Sequence, residues 1–235
     1  MLPFFLDISH IRILLALSML AIASVSDIKK REIHDSLWIA FGSVAVLLLF
    51  FEPNIFNALR SVGLSLLIAP LAIFAWRMGF FGGADAFALI VLAALAPGAS
   101  LSVGLVMPFT TLTNAAILSA ASLLVNVAHN LFAISRHQNI FEGFEETRLR
   151  KAIAIFLGYR ASNPRYSFSM EKIEGNKKKL DLSLHNADHD NFCTASNIWV
   201  TPGIPYILYI AGGFVIQLFF GDILLTSIGS FLIRS

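Results

Sequence analysis

Of the 235 residues in the chain, 57% are apolar or aromatic and only 14% are charged. Soluble domains carry about 25% charged residues, so this composition excludes an ordinary soluble protein and indicates a membrane protein. The net charge of +2 is too small to favour nucleic-acid binding. The single cysteine, Cys193, excludes an internal disulfide and a zinc site built from cysteines.

Six apolar segments follow one another along the chain, each bounded by charged residues, proline or glycine. A bilayer-spanning helix needs about 20 apolar residues, so each segment is a candidate span, although the second and fourth are short. Asp7 precedes the first segment and a basic cluster follows it, the reverse of a secretory signal peptide, so we expect this segment to be retained. The sequence therefore predicts an all-α polytopic membrane protein with about six transmembrane helices. The candidate spans are residues 11–28, 37–51, 62–80, 85–97, 112–134 and 204–224.

The basic residues divide unevenly between the two sides of this arrangement. With the N-terminus outside, every Lys and Arg except Arg12, Arg60 and Arg234 falls on the cytoplasmic side. Cytoplasmic loops are enriched in basic residues, so the pattern predicts a multi-pass protein of the cell membrane with an external N-terminus.

A polar insertion separates the fifth and sixth spans and holds most of the charged residues. Within it RYSFSM and KKLDLSL alternate apolar with polar residues, as half-buried strands do, and Gly175-Asn176 between them is typical of a turn. We expect a small, mostly β cytoplasmic insertion at residues 136–202. The membrane domain would then comprise residues 1–135, with helices 1–5, and residues 203–235, with helix 6 and a C-terminal tail.

Two aspartates lie at the cytoplasmic ends of predicted spans, Asp27 at the end of the first and Asp85 at the start of the fourth. Ionisable residues at such positions are costly, so each is a candidate functional residue. Two carboxyl groups in a partly dry cleft come to share a proton, so that one activates water as a base while its partner donates as an acid. Gly82 and Gly83 before Asp85 would permit close backbone approach.

A structural alternative stays open for both aspartates. Asp27 precedes Lys29, Lys30 and Arg31, where a carboxylate is commonly a solvated charge at the membrane edge. Asp85 lies where an acidic residue stabilises the first turn of a helix.

The segments SDIKKREIHDSLW and, some fifty residues later, GGAD resemble the aspartate-dyad membrane peptidases that process type IV prepilins and archaeal preflagellins. NIWVTPGIPYI, with Gly221-Asp222 after it, is similar to the preflagellin peptidase branch. The resemblance implies a six-span membrane aspartic endopeptidase that cleaves class III signal peptides at the cytoplasmic face. Asp27 and Asp85 then correspond to the catalytic pair. The partners implied are prepilin-like or preflagellin-like proteins and the lipid bilayer, and no cofactor or metal is expected.

The chain departs from the family motif at two positions. Ala84 replaces Gly or His before the second aspartate, and Phe87 replaces a frequent Lys after it. If the backbone at Ala84 required glycine, the site would be strained, which leaves open a non-catalytic scaffold descended from the peptidases. Bacterial relatives that methylate their product often carry paired CxxC motifs, which this chain lacks, so we expect cleavage without methyl transfer.

Further polar residues are weaker candidates. Asn126, His129 and Asn130 share one helical face and would either line the catalytic cleft or form interhelical hydrogen bonds. Glu32 and Asp35 would either attract a basic substrate leader or belong to a solvated loop.

Two more clusters have plain alternatives. The helical spacing of His185 and His189 suits a metal site, but the surrounding composition favours a polar loop. The same stretch also holds Asp188, Asp190 and Cys193. Asp222 is expected near the external interface, away from catalysis. A proton-coupled transporter is the main rival function, although the carboxylates lie at one membrane edge and no repeat is visible.

Overall fold

The computed structural model describes residues 7–97, 107–175, 177–183 and 191–224. It divides into two compact units, Met1–Leu118 with Pro205–Ser235, and Ser119–Ile204. The helices are α1 Ile8–Lys30, α2 Asp35–Leu49, α3 Ile55–Ser65, α4 Ile68–Arg77, α5 Gly83–Leu95, α6 Met107–Ser135, α7 Arg148–Leu157 and α8 Tyr206–Phe220. The strands are β1 Tyr159–Ala161, β2 Ser167–Ser169, β3 Glu171–Glu174, β4 Lys177–Leu180 and β5 Ile198–Pro202.

Three helical stretches are long and apolar enough to cross a bilayer: Ile8–Lys30, Ile55–Arg77 and Pro108–Ser135. The other three apolar helices, α2, α5 and α8, are shorter. All six predicted spans therefore coincide with apolar helices, and the mostly helical membrane character is confirmed. The crossing of the bilayer by all six stays a prediction.

The third span begins earlier than predicted, at Ile55 instead of Val62. Asn54 caps it, because its side-chain oxygen accepts a hydrogen bond from the Asn57 amide at 3.1 Å. The helix is interrupted at residues 66–67, where α3 ends and α4 begins. Pro70 accounts for the break, since it has no amide hydrogen to donate to the carbonyl of residue 66.

The central helix of the first unit is α5, which packs against α1, α2, α3, α4 and α8. Most of its residues are buried, as expected for a helix that is apolar on all sides. At 13 residues it is only about 20 Å long, shorter than the hydrocarbon core of a bilayer. Its C-terminal carbonyl groups must therefore be satisfied by protein.

Two buried side chains supply those hydrogen bonds. Arg12 donates from Nη1 to the carbonyl oxygens of Leu95 at 3.0 Å and Ala94 at 3.4 Å. Ser65 donates to the carbonyl oxygen of Pro97 at 2.9 Å. Arg12 was predicted to be an external charge, but it is buried at the end of α5.

A polar contact joins α8 to the first part of α6. Thr111 donates to Gln217, and Asn114 Nδ2 donates to the Gly221 carbonyl oxygen at 3.0 Å. Gly221 has a φ of 70°, which favours glycine, and the adjacent Asp222 accepts from Thr113 Oγ1 at 3.1 Å. The Gly-Asp pair therefore ends α8 and links it to α6.

The second unit contains the last part of α6, α7 and two small antiparallel sheets. One sheet has the order β1-β5-β2 and the other is the β3-β4 hairpin. Trp199 of β5 lies at the centre of the core, where its Nε1 donates to the Ile140 carbonyl oxygen at 2.6 Å.

The expected β character of the insertion is confirmed only in part. RYSFSM contains β2 and KKLDLSL begins within β4, but the partner of β4 is β3, which was not predicted. Gly175 lies in the connection with a φ of 63°, while Asn176 lies outside the described residues. Helix α7 was not predicted. Because the insertion contains this helix as well as the strands, it is mixed α and β.

Candidate active site

Asp27 lies on the buried face of α1. Residues four apart share a helical face, and Asp27 continues a stripe formed by the buried Ala16, Leu20 and Ala23. Its side chain is half-buried, whereas Lys29 and Lys30 are exposed. This placement differs from that of a fully solvated charge at the membrane edge.

The opposite face of α1 borders an open groove with a volume of about 420 Å³. Its apolar part contains Ile22 and Val25, and it ends at Lys29 and Lys30. The groove thus lies on the face of α1 that points away from Asp27.

Asp85 is almost fully buried in the first turn of α5, with 8% of its surface exposed. Its Oδ2 accepts a hydrogen bond from the Gly82 amide at 2.9 Å, while its own amide donates to the Gly82 carbonyl oxygen at 3.2 Å. Asp85 therefore stabilises the start of α5, as the structural alternative anticipated. A carboxylate held in this way is also fixed in orientation.

The hydrogen bonds of Arg12 determine which helix ends lie together. Arg12 is near the N-terminus of α1 and contacts the C-terminus of α5, and the two helices pack against each other. They therefore run antiparallel, so that the C-terminal end of α1 and the N-terminal end of α5 lie at the opposite end of the unit. Asp27 and Asp85 occupy those two ends.

The glycine-containing motif before Asp85 has a clear geometry. Gly82 is extended and Gly83 begins α5, where an added Cβ would lie 3.0 Å from ring atoms of Trp76. Ala84 is the second residue of the helix and does not have a positive φ. The departure from the family motif at Ala84 therefore causes no backbone strain. The residue that requires glycine is Gly79, which has a φ of 77° in the preceding turn.

Two residues that interact with the aspartates, Arg31 and Tyr206, were not among the predicted site residues. The backbone amide of Arg31 donates to the Asp27 carbonyl oxygen at 2.9 Å. The Arg31 side chain also interacts electrostatically with the Asp27 carboxyl group. Tyr206, at the start of α8, interacts electrostatically with Asp85 and stacks on Phe81 with ring centres 5.3 Å apart. Tyr206 lies more than 100 residues from Asp85 in sequence, so no local spacing could have revealed it.

The candidate leader-binding residues lie just beyond α1. Glu32 is in the connection between α1 and α2, and Asp35 is the first residue of α2. Both side chains are exposed. Exposure is required for contact with a substrate, but it is equally expected of a solvated loop.

Asn126, His129 and Asn130 belong to the second unit, on α6. Asn126 Nδ2 donates to the Phe156 carbonyl oxygen at 3.0 Å. Asn130 Nδ2 donates to the carbonyl oxygens of Ile155 at 3.0 Å and Gly158 at 2.7 Å. The His129 ring lies 4.5 Å from that of Tyr159. The two asparagines therefore make the kind of hydrogen bond named as the alternative, and a cleft-lining role stays a prediction.

The histidine cluster of the insertion cannot be compared with the structure as a whole. His185, Asp188, His189 and Asp190 lie outside the described residues. Cys193 is described and is a free, partly exposed thiol.

Comparison with known proteins gives matches along almost the whole chain. The model of the type IV leader peptidase family matches residues 14–125, and the model described as archaeal peptidase A24 C-terminus type II matches residues 125–223. Preflagellin peptidases from Methanocaldococcus jannaschii and Methanococcus maripaludis are 24% and 26% identical over 215 and 219 residues. Each alignment covers 86% of this chain, and 91% and 92% of the respective relative.

The preflagellin peptidase of Methanococcus voltae is 25% identical over 231 residues, covering 89% of this chain and 94% of the relative. The two family models adjoin at residue 125 and together span both compact units. Residues 14–125 therefore match the type IV leader peptidase family and residues 125–223 the archaeal peptidase A24 C-terminus, and the chain is similar to preflagellin peptidases along most of its length.

Proposed function

We propose that the protein is an aspartic endopeptidase that removes the leader from preflagellin-like or prepilin-like proteins, with Asp27 and Asp85 as its catalytic pair. The observation that carries the proposal is the antiparallel packing of α1 and α5, which brings the half-buried Asp27 near the C-terminus of α1 and the almost fully buried Asp85 near the N-terminus of α5 to the same end of the unit. The match to a peptidase family and the names of the relatives support the same activity.

The proposed reaction needs one ionised and one protonated carboxyl group. The ionised group removes a proton from water as the water oxygen attacks the peptide carbonyl carbon. The protonated group donates a hydrogen bond to the developing oxyanion and then a proton to the leaving nitrogen. Because the two groups titrate as a coupled pair, either aspartate can fill either role.

The proposal includes a topology with six spans, an external N-terminus and a reaction at the cytoplasmic face. The distribution of basic residues supports this orientation. A leader with basic residues before an apolar helix would then meet the enzyme at the membrane edge. We further propose that the new N-terminus is released without methylation.

The test is cleavage of a preflagellin-like substrate co-expressed with the full chain, followed by its change in size on electrophoresis. Asp27→Asn and Asp85→Asn are each expected to lower the cleavage rate by at least about 100-fold, the usual contribution of acid–base catalysis. Asp7→Asn is the matched control, because Asp7 is exposed and precedes α1. Mass spectrometry of the product measures methylation.

Cleavage that persists in either aspartate variant would remove that residue from the mechanism. If the wild-type chain, present in membranes at normal levels, cleaves no class III substrate, the scaffold and transporter functions become the better explanations.

A further inference from the structure

Helix α7 presents an apolar stripe to its surroundings although it belongs to a polar insertion. Leu149, Ile153 and Phe156 are 71%, 39% and 48% exposed, and Ala152 between them is also exposed. At 100° per residue these four side chains occupy a single arc of about 100°. The opposite face is already used, because Ala154 is fully buried in the core of the second unit. The stripe is therefore a surface that the described residues leave uncovered.

The last turn of α7 is fixed to a membrane helix. Asn126 and Asn130 of α6 donate hydrogen bonds to the carbonyl oxygens of Phe156, Ile155 and Gly158. The carbonyl oxygens all belong to residues 155–158, so the C-terminal end of α7 makes this contact. The end of α7 is thus held at the level of Asn126 and Asn130 on α6.

The level of this contact along α6 is close to a bilayer surface. The stretch Pro108–Ser135 has 28 residues and is about 42 Å long, whereas the hydrocarbon core is about 30 Å thick. The excess of about 12 Å corresponds to about eight residues. We place it at the C-terminal end of α6, because Arg136 and His137 follow the helix there, so that it begins beside Asn126 and Asn130. At this end Arg136 lies 4.2 Å from the Phe132 ring centre, an arrangement typical of the membrane–water boundary.

The charges around the stripe favour an acidic lipid surface. Arg148 and Arg150 flank it, one at each edge. The two acidic residues next to the helix are neutralised locally, since Glu146 pairs with Arg150 at 2.7 Å and Glu145 pairs with Lys177. Arg148 is exposed and makes no ion pair with any residue that the structure describes. The accessible charge beside the stripe is thus positive.

We propose that α7 lies in the membrane–water interface and binds the bilayer surface, with its apolar stripe in the acyl-chain boundary and Arg148 at acidic headgroups. This anchor attaches the second unit to the bilayer independently of the peptidase reaction. Interfacial helices of this kind combine a narrow apolar face with basic residues at its edges.

The test uses the full chain in vesicles of phosphatidylcholine with phosphatidylglycerol and with nitroxide-labelled lipid. A fluorophore is attached to Ile153→Cys in a Cys193→Ser background, and Ile173→Cys on the β3-β4 hairpin is the matched control, being 77% exposed in the same unit. Leu124→Cys on α6, 67% exposed, is the membrane-buried reference. The proposal predicts a label at position 153 about 5–10 Å below the headgroups, quenched by the lipid nitroxide, and little quenching at position 173.

Two further experiments test the role of the Arg148 charge and the identity of the molecule that covers the stripe. Arg148→Gln should lower the ratio of docked to undocked α7 about fivefold in vesicles with phosphatidylglycerol, and leave it unchanged in phosphatidylcholine alone. Equal, weak quenching at positions 153 and 173 would overturn the proposal. So would a label at position 153 that is shielded from aqueous iodide but not quenched by lipid, because a second copy or another protein would then cover the stripe.

Discussion

Arg12 and Glu52 form a 2.8 Å ion pair in which the side chains are only 6% and 19% exposed. Glu52 lies between α2 and α3, and Arg12 also donates to the end of α5. One guanidinium therefore joins three parts of the first unit at the end opposite the two aspartates. The antiparallel relation of α1 and α5, on which the proposed site depends, is held by this residue.

Removal of the Arg12 side chain should therefore destabilise the protein strongly. Arg12→Ala leaves Glu52 as a partly buried, unpaired carboxylate and the α5 carbonyl groups without their donor, so we expect a loss of about 3 kcal/mol in the free energy of unfolding. Denaturation in detergent micelles measures it. Arg60→Ala is the control, because Arg60 is exposed on α3. Equal stability of the two variants would contradict a structural role for Arg12.

The motif before Asp85 gives a prediction about its two small residues. Gly83→Ala places a methyl group 3.0 Å from the Trp76 ring, so the ring or the start of α5 must move by a few tenths of an ångström and cleavage should fall. Ala84→Gly should not raise the cleavage rate, because Ala84 is already helical, and should cost about 0.5–1 kcal/mol of stability. Cleavage assays and unfolding of both variants test this. A faster Ala84→Gly enzyme would show that the departure from the family motif limits activity.

The exposed acidic residues after α1 should act on substrate binding. If Glu32 and Asp35 attract the leader, Glu32→Gln with Asp35→Asn should raise KM for a basic leader by up to about fivefold and leave kcat nearly unchanged, since exposed ion pairs contribute at most about 1 kcal/mol. A substrate with a neutralised leader is the control and should not distinguish the variant from the wild type. If KM changes equally for the basic and the neutralised leader, Glu32 and Asp35 belong to a solvated loop and do not bind the leader.

Gly158 should be intolerant of any side chain. It connects α7 to β1, and an added Cβ would lie 2.1 Å from the Val200 carbonyl oxygen and 2.4 Å from the Met170 sulfur. Gly158→Ala is expected to lower the stability of the second unit by about 1–3 kcal/mol or more. Limited proteolysis of the insertion measures it, with Gly63→Ala as control because no atom lies within 4 Å of its added Cβ. Matching proteolysis rates would argue against the close packing of β1 on β5.

Sequence patterns predicted the features that depend on neighbouring residues. The apolar segments gave the six helices, and their boundaries placed Asp27 and Asp85 at the ends of α1 and α5. The ion pair between Arg12 and Glu52 joins residues 40 positions apart, and the contact between Arg12 and Leu95 joins residues 83 apart. No local pattern specifies such contacts, so Arg12 was counted as an external charge.

Helix α7 was missed for a different reason. RLRKAIAIFL has helical periodicity, but it is short and is followed by segments whose alternation indicates strands. Its position is fixed by Asn126 and Asn130, which the sequence analysis assigned either to a catalytic cleft or to hydrogen bonds between helices. The spacing showed that they share a face, but only the fold identifies the carbonyl groups that they contact.

The contacts of Arg12 also constrain the order of events during synthesis. Helix α1 is synthesised before the partners of Arg12, which are Glu52 after α2 and the carbonyl groups of Ala94 and Leu95 at the end of α5. Until these are made, the guanidinium is expected to stay in the aqueous or headgroup layer, because an unpaired charge is costly within hydrocarbon. Helix α1 is therefore expected to reach its final depth only after α5 has been synthesised.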